Sequence, residues 1–182
     1  MAKAKKKKAA PRRAKSKSAA PLDAVALLKA DHRQVAEWFE QFEKSRSDDK
    51  KLKLAGQICQ ALRIHATIEE EIFYPAFLEA TEDKDMHHEA EVEHAGAKNL
   101  IAQIEASSPA DDYYDAKVKV LSEMIKHHVK EEEQKDGMFA EARASDMDLK
   151  AIGEQMAERK AELESAPPAP ASRRAAAEGA EA

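Results

Sequence analysis

A chain of 182 residues, 43% of them hydrophobic, can build one core plus tails, and with no apolar run of about 18 residues it is not expected to span a membrane. The single cysteine, Cys59, excludes an intramolecular disulfide, and no apolar stretch follows the basic N-terminus, so a reducing cytoplasm is expected and a secretory signal is not. The net charge of −5 is unevenly spread: residues 1–21 carry nine cations and no acid, a basic arm on an acidic body.

That arm, MAKAKKKKAAPRRAKSKSAAP, is low-complexity Lys, Ala, Pro and Ser with nothing to bury, and is expected to be disordered. It could neutralise nucleic-acid phosphates without reading sequence, since no aromatic residue is interleaved to stack on bases; a solubilising tail, or one that folds back on the acidic body, is the plainer reading. From Leu22 the pattern turns helical. Val25, Leu28, His32, Val35, Phe39 and Phe42 recur at spacings of three and four, one face of an amphipathic helix ending near SRSDD. A second helix is predicted from about Asp48 to Glu79, with Leu54, Ile58, Ala61, His65, Glu69 and Ile72 on its seam and Pro75 kinking or closing it. A third carries His87, Ala90, His94, Ala97, Ile101 and Ile104 in the same rhythm. SSPADD breaks the chain, with Asp111 or Asp112 as the expected cap of the next helix. The fourth seam reads Val118, Leu121, Ile125, His128, Glu132, Lys135 and Phe139, with Gly137 loosening its end. DLKAIGEQMAERKAELE predicts a short accessory helix within 146–165, and the Pro/Ala-rich stretch 166–182 a disordered tail. The expected fold is therefore all-α: an up-down-up-down four-helix bundle over 22–145, with a short extra C-terminal helix and disordered tails.

Each of the four predicted bundle helices carries a histidine on its seam, and two carry His-x-x-x-Glu: His65 with Glu69, and His128 with Glu132. A spacing of four stacks both side chains on one face, one turn apart. Counted at 1.5 Å per residue from the connections, His32, His65, Glu69, His94, His128 and Glu132 fall in one layer to within about a turn. Six such groups at one level of a core would be strongly destabilising without a compensating positive charge, and a metal supplies it. Imidazoles with two carboxylates able to bridge suit a pair of iron or manganese ions better than zinc. His127, about 100° around from His128, is expected at the surface; His87 is expected near the bundle end. Glu70, Glu71, Glu131 and Glu133 read as solvated faces, and Tyr74 as packing. No Ser/His/Asp set, Cys nucleophile or Gly-rich phosphate loop supports hydrolase or nucleotide chemistry.

In LKADHRQV, HATIEEEIFYP, EVEHAGAKNL and HHVKEEE, taken in that order, the chain resembles the hemerythrin-like family, the HHE cation-binding domain, over roughly 22–145. The resemblance implies two iron ions with an oxo or hydroxo bridge (manganese as an alternative). His32, His65, His94 and His128 would be terminal ligands, and Glu69 and Glu132 carboxylate bridges. It implies an oxygen-, peroxide- or nitric-oxide-binding protein, with iron handling or oxidative protection as the alternative and the basic arm as a nucleic-acid contact. Two positions depart from the oxygen-carrying pattern. Ala90 stands where a further helix-three histidine would be, and Glu132 where the fourth helix would have an Asp one residue later. Water or Glu91 could fill the place left at Ala90, and an open position points to binding or reduction of a small oxidant rather than reversible carriage.

Overall fold

In the computed structural model, residues 23–166 are described, and among them there is no strand. The expectations for the basic arm 1–21 and for the tail from 167 onward lie outside the described residues.

Four helices begin on a side-chain cap that satisfies one of their orphan N–H groups. Asp23 caps α1 (Ala24–Lys44), accepting from the Ala26 N–H at 2.8 Å. Ser47 caps α2 (Asp48–Ile68) through the Lys50 N–H. The predicted second helix continues beyond α2 through a π-helical segment, Glu69–Phe73, into α3 (Tyr74–Thr81). Pro75 neither ends nor closes it. Proline cannot donate to the carbonyl four residues back and crowds it, and the widened turn just before Pro75 accommodates both defects. The Tyr74 N–H instead reaches the Glu69 carbonyl, five residues back. The extra residue advances the seam by one position. Ile72, expected on it, is half-buried, and Phe73 and Phe77 are fully buried in its stead.

Glu82, in the left-handed region at φ 58°, turns the chain into α4 (Lys84–Glu105), which Asp83 caps through Met86. After α4 the Asp111 side chain takes the Ser108 N–H at 2.6 Å, so it does not cap α5 (Tyr114–Glu133) as expected. The N-cap there is Tyr113, without a side-chain bond. The fourth predicted helix also ends early: α5 stops at Glu133, Lys135 is exposed in a turn, and Phe139 belongs to a separate helix, α6 (Met138–Ala144). The accessory helix is present as α7 (Leu149–Ser165), capped by Asp148.

The helices α1, α2–α3, α4 and α5 run alternately up and down, each packed on its neighbours in the ring. Cross-helix pairs fix the antiparallel sense: Arg63 bonds Glu105 at 2.6 Å and Lys98 bonds Glu70 at 2.6 Å, so residue numbers fall along one helix as they rise along the other. Helix α7 lies along α1 and α2, anchored by Lys160 to Asp31 and by Arg159 to Glu71 at 2.7 Å. Two apolar clusters divide the core. One gathers Leu28, Ile68, Phe73, Phe77, Phe139 and Met156; the other Val35, Phe39, Ile58, Leu62, Ile101 and Leu121. On α1, α2 and α4 the seam histidine sits where the helix passes from one cluster to the other. Cys59 is buried and free, and burial pushes its thiol up to about 12, which leaves it inert.

Gly137 is where the chain doubles back from α5 to α6. A β-carbon there would lie 2.0 Å from the Glu131 carbonyl oxygen and 2.9 Å from that of Glu132. Both are backbone atoms at the end of α5 and cannot swing away. Gly137→Ala is expected to cost about 1–3 kcal/mol, as overpacking does. Chemical denaturation measures it, and an unchanged midpoint would mean the turn relaxes freely.

Candidate metal centre

Between the two apolar clusters lies one polar layer: His32, His65, His94 and His128 with Glu69 and Glu132, all buried, with Glu69 at 0% exposure. The fold brings together all six residues expected there. They group as two pairs of imidazoles about shared carboxylates. His32 Nε2 and His65 Nε2 are 3.1 Å apart, and His94 Nε2 and His128 Nε2 are 3.3 Å apart. Glu69 stands between the pairs, with Oε1 at 3.2 Å from His65 Nε2 and Oε2 at 3.4 Å from His94 Nε2. Glu132 Oε2 lies 3.3 Å from His32 Nε2 and 3.6 Å from His128 Nε2. Two sets of donor atoms are close enough to hold a cation: His32, His65, Glu69 and Glu132, and His94, His128 and Glu69. Glu69 belongs to both.

A layer of carboxylates behind the histidines fixes their orientation. His32 Nδ1 meets Glu133 at 2.8 Å, His94 Nδ1 meets Glu70 at 2.9 Å, and His128 Nδ1 meets Glu93 at 2.7 Å. His65 Nδ1 faces Asp31 more loosely, at 3.6 Å. An ionised carboxylate only accepts, so the Nδ1 of His32, His94 and His128 carries the hydrogen and directs Nε2 inward. Glu70 and Glu133 are thus not solvated faces as expected: each follows a buried carboxylate, Glu69 or Glu132, and reaches back to a ring nitrogen. Asp31 and Glu93 belong to the same layer, and the sequence does not single them out. The only signal was a carboxylate beside or one turn from a seam residue, which surface charge mimics.

Tyr74 is packing, as expected, but its hydroxyl is also part of the layer. The π segment rotates it onto the Glu69 face, where the hydroxyl lies 3.2 Å from His94 Nε2 and 3.5 Å from Glu132 Oε1. Ala90 is buried in the same cluster as the Tyr74 ring. Glu91 is not brought to the layer. It is exposed, 3.8 Å from His87, which lies in the first turn of α4 and packs its ring edge-on against Tyr74. His127 is exposed, as expected.

The donor set fits a cation. Both Glu69 oxygens, Glu132 Oε2 and His65 Nδ1 are buried without a hydrogen-bond partner. Such orphaned groups cost several kcal/mol each unless a charge compensates them. Protons do part of that work. Burial pulls the His65 imidazole down, but Glu69, Asp31 and Glu132 outweigh it and push it up to about 10. Burial and the Glu69 charge raise Glu132 to about 8. Glu69 itself, despite burial, is held well below the usual carboxylate range by His65 and His94. Burial and the His65 charge lower His32 to about 4. Burial, then Glu69 and Glu132, hold the Tyr74 hydroxyl protonated, well above its ordinary value.

Over the histidines lies a cavity of about 30 Å³, lined also by Val35, Leu62, Ala97 and Ile101. It has room for a molecule of two or three heavy atoms and offers it imidazole on one side and hydrocarbon on the other.

Comparison with known proteins agrees with this arrangement. The hemerythrin HHE cation binding domain family matches the chain over residues 23–140. A DNA nickase of Nostoc sp. is 31% identical over 107 residues, 59% of this chain, which spans only 30% of that relative's length. A solved hemerythrin HHE cation binding domain-containing protein from Mycobacterium kansasii shares the fold, with a TM-score of 0.66 at 22% identity, covering 78% of this chain and 87% of that one. The family match takes in the four bundle helices and every residue of the buried His/Glu layer, and the chain belongs to the hemerythrin HHE cation-binding domain family.

Proposed function

We propose that this protein holds a non-haem di-iron centre that binds or senses oxygen, peroxide or nitric oxide in the cytoplasm. The observation that carries the reading is Glu69, a fully buried carboxylate whose two oxygens are aimed at opposite histidine pairs and bonded to neither. One carboxylate spanning two imidazole pairs is the layout of a bridging ligand. His32 and His65 would hold one ion, His94 and His128 the other, with Glu69 and Glu132 across them. The donor set of imidazole and carboxylate suits iron, with manganese the nearest substitute. An iron pair supplies redox equivalents and open coordination positions for a small oxidant. The chain supplies the rest. The outer carboxylates fix the ring orientations, the 30 Å³ cavity admits only small molecules, and the Tyr74 hydroxyl keeps a proton beside His94 and Glu132.

Metal analysis with an optical spectrum, recorded before and after reduction and air exposure, tests this. Expected are iron in every chain and a near-ultraviolet charge-transfer band that responds to oxygen, peroxide or nitric oxide. Aerobically purified protein with no transition metal would sink the reading. Continuous turnover of excess Fe(II) or peroxide, in place of stoichiometric binding, would make it an iron-handling or protective protein instead.

Proton release offers a second check. At neutral pH the metal-free layer holds protons on His65, pushed up to about 10, and on Glu132, at about 8, while His32 is already neutral. A cation must displace those protons. Apparent affinity is therefore expected to rise with pH from 6 towards the titration of Glu132 near 8, with proton release in calorimetry. An affinity that falls over that range would contradict the assignment.

A nucleic-acid role has its own support in the nine cations of residues 1–21 and in a relative named a DNA nickase. Deleting 1–21 is expected to abolish salt-sensitive DNA binding, and unchanged binding would remove this reading.

A further inference from the structure

HHVKEE holds two interleaved His-x-x-x-Glu pairs, one residue out of step. His128 and Glu132 face the buried layer. His127 and Glu131, about 100° around α5, face outward, with side chains 60% and 32% exposed. Helix α4 brings Glu93 to the same place. His127 Nε2 lies 3.1 Å from Glu131 Oε1 and 3.6 Å from Glu93 Oε1, while the other Glu93 oxygen takes the His128 Nδ1–H at 2.7 Å. One carboxylate thus touches an outer trio and an inner histidine together.

This position differs from the other three carboxylates behind the histidines. Glu133 is backed by Lys29 at 3.2 Å, Glu70 by Lys98 at 2.6 Å, and Asp31 by Lys160. An ammonium group occupies the carboxylate, lends it no donor atom and repels an approaching cation. Glu93 is backed instead by an imidazole, a metal ligand, with a second carboxylate beside it. Two depressions border both the trio and the buried layer. A groove of about 300 Å³ is lined by Glu93 and His127 together with His94 and His128. A recess of about 20 Å³ is lined by Glu93 and Glu131 together with His128 and Glu132, the last carrying the orphaned Oε2.

We propose that Glu93, His127 and Glu131 form a second, labile divalent-cation site at the mouth of the buried centre, through which ions are loaded. The loading role rests on the reading that the buried layer holds metal; cation binding by the trio does not. Two carboxylates and a neutral imidazole balance the charge of Fe²⁺, Mn²⁺ or Zn²⁺ and match their ligand preferences. Three ligands at a partly open surface leave the remaining coordination positions to water, so the ion is held weakly and exchanges fast, as loading requires.

Two measurements on the full chain test this. Protein with its buried centre filled is titrated with Mn²⁺, and free Mn²⁺ is read by electron paramagnetic resonance. The chelated protein is then reloaded anaerobically with Fe²⁺ and the uptake rate followed. In a variant carrying both His127→Ala and Glu131→Gln, the extra Mn²⁺ site is expected to weaken by about tenfold or more, since losing a ligand costs at least what losing an outer-layer partner does. Loading is expected to slow by a similar factor, with the final metal content unchanged. Glu123→Gln, an exposed acid lining the same groove, should alter neither. No extra Mn²⁺ bound by the filled wild type, or an equal effect from Glu123→Gln, overturns the site. Unchanged loading in the double variant overturns its role. A wild type whose buried layer takes no metal fails the functional reading instead, and the Mn²⁺ titration still reads the trio alone.

Discussion

Glu69→Ala is expected to empty the buried layer of metal, and a chelator should then no longer lower the melting temperature of the variant. Glu69 is 0% exposed and belongs to both sets of potential ligands, so its loss removes an oxygen from each. Nothing nearby can replace it, because Glu132 is already committed between His32 and His128. In the wild type, metal bound only by the folded state stabilises it by about 2.7 kcal/mol at a hundred times the dissociation constant. Chelation should remove that increment from the wild type and nothing from Glu69→Ala. His127→Ala, by contrast, leaves all six inner donors in place and should retain the full metal content at equilibrium. Equal retention by the two variants would show that Glu69 is not a ligand.

Phe139→Ala should cost about 3–5 kcal/mol, near the top of the range for a core aromatic. The ring is buried, stacks on His32 with centroids 5.8 Å apart and meets Phe73 edge-on at 5.8 Å. Its removal leaves a void between α6, the π segment and the His32 ring, so His32 loses one of the walls that hold it in place. Denaturation of the metal-free protein reads the stability cost, and metal affinity reads the displacement of His32. Lys135→Ala, four residues earlier, is expected to stay within about 0.5 kcal/mol, as an exposed turn residue does. A continuous fourth helix would put Lys135 and Phe139 on one face and make both substitutions matter. The two results together therefore also test where α5 ends.

What could be read from the chain alone was whatever repeats locally. A helix imposes its period on the residues it buries, so His32, His65, Glu69, His94, His128 and Glu132 stood out as polar residues in apolar rhythm. The bundle and the layer followed from counting along it. The same local logic misplaced Ile72 and Lys135. A π turn and a helix end both break the period, and nothing in the spacing of the side chains marks where. Pro75 and Gly137 mark the places only once the backbone is seen to widen at one and double back at the other.

Tertiary structure alone decided which histidines pair, since His32 with His65 and His94 with His128 depend on how the helices rotate against one another. It also decided which acids matter. Asp31, Glu70, Glu93 and Glu133 look like any charged residue at the edge of a helix face, and only the approach of a second helix makes each of them the partner of a ring nitrogen. Tyr74 reaches the layer because one extra residue in the turn before it rotates its side chain onto the Glu69 face. The period of a helix says which residues point inward, but it carries no record of what stands opposite them. That is why the six inner residues were legible in the sequence and the carboxylates and hydroxyl around them were not.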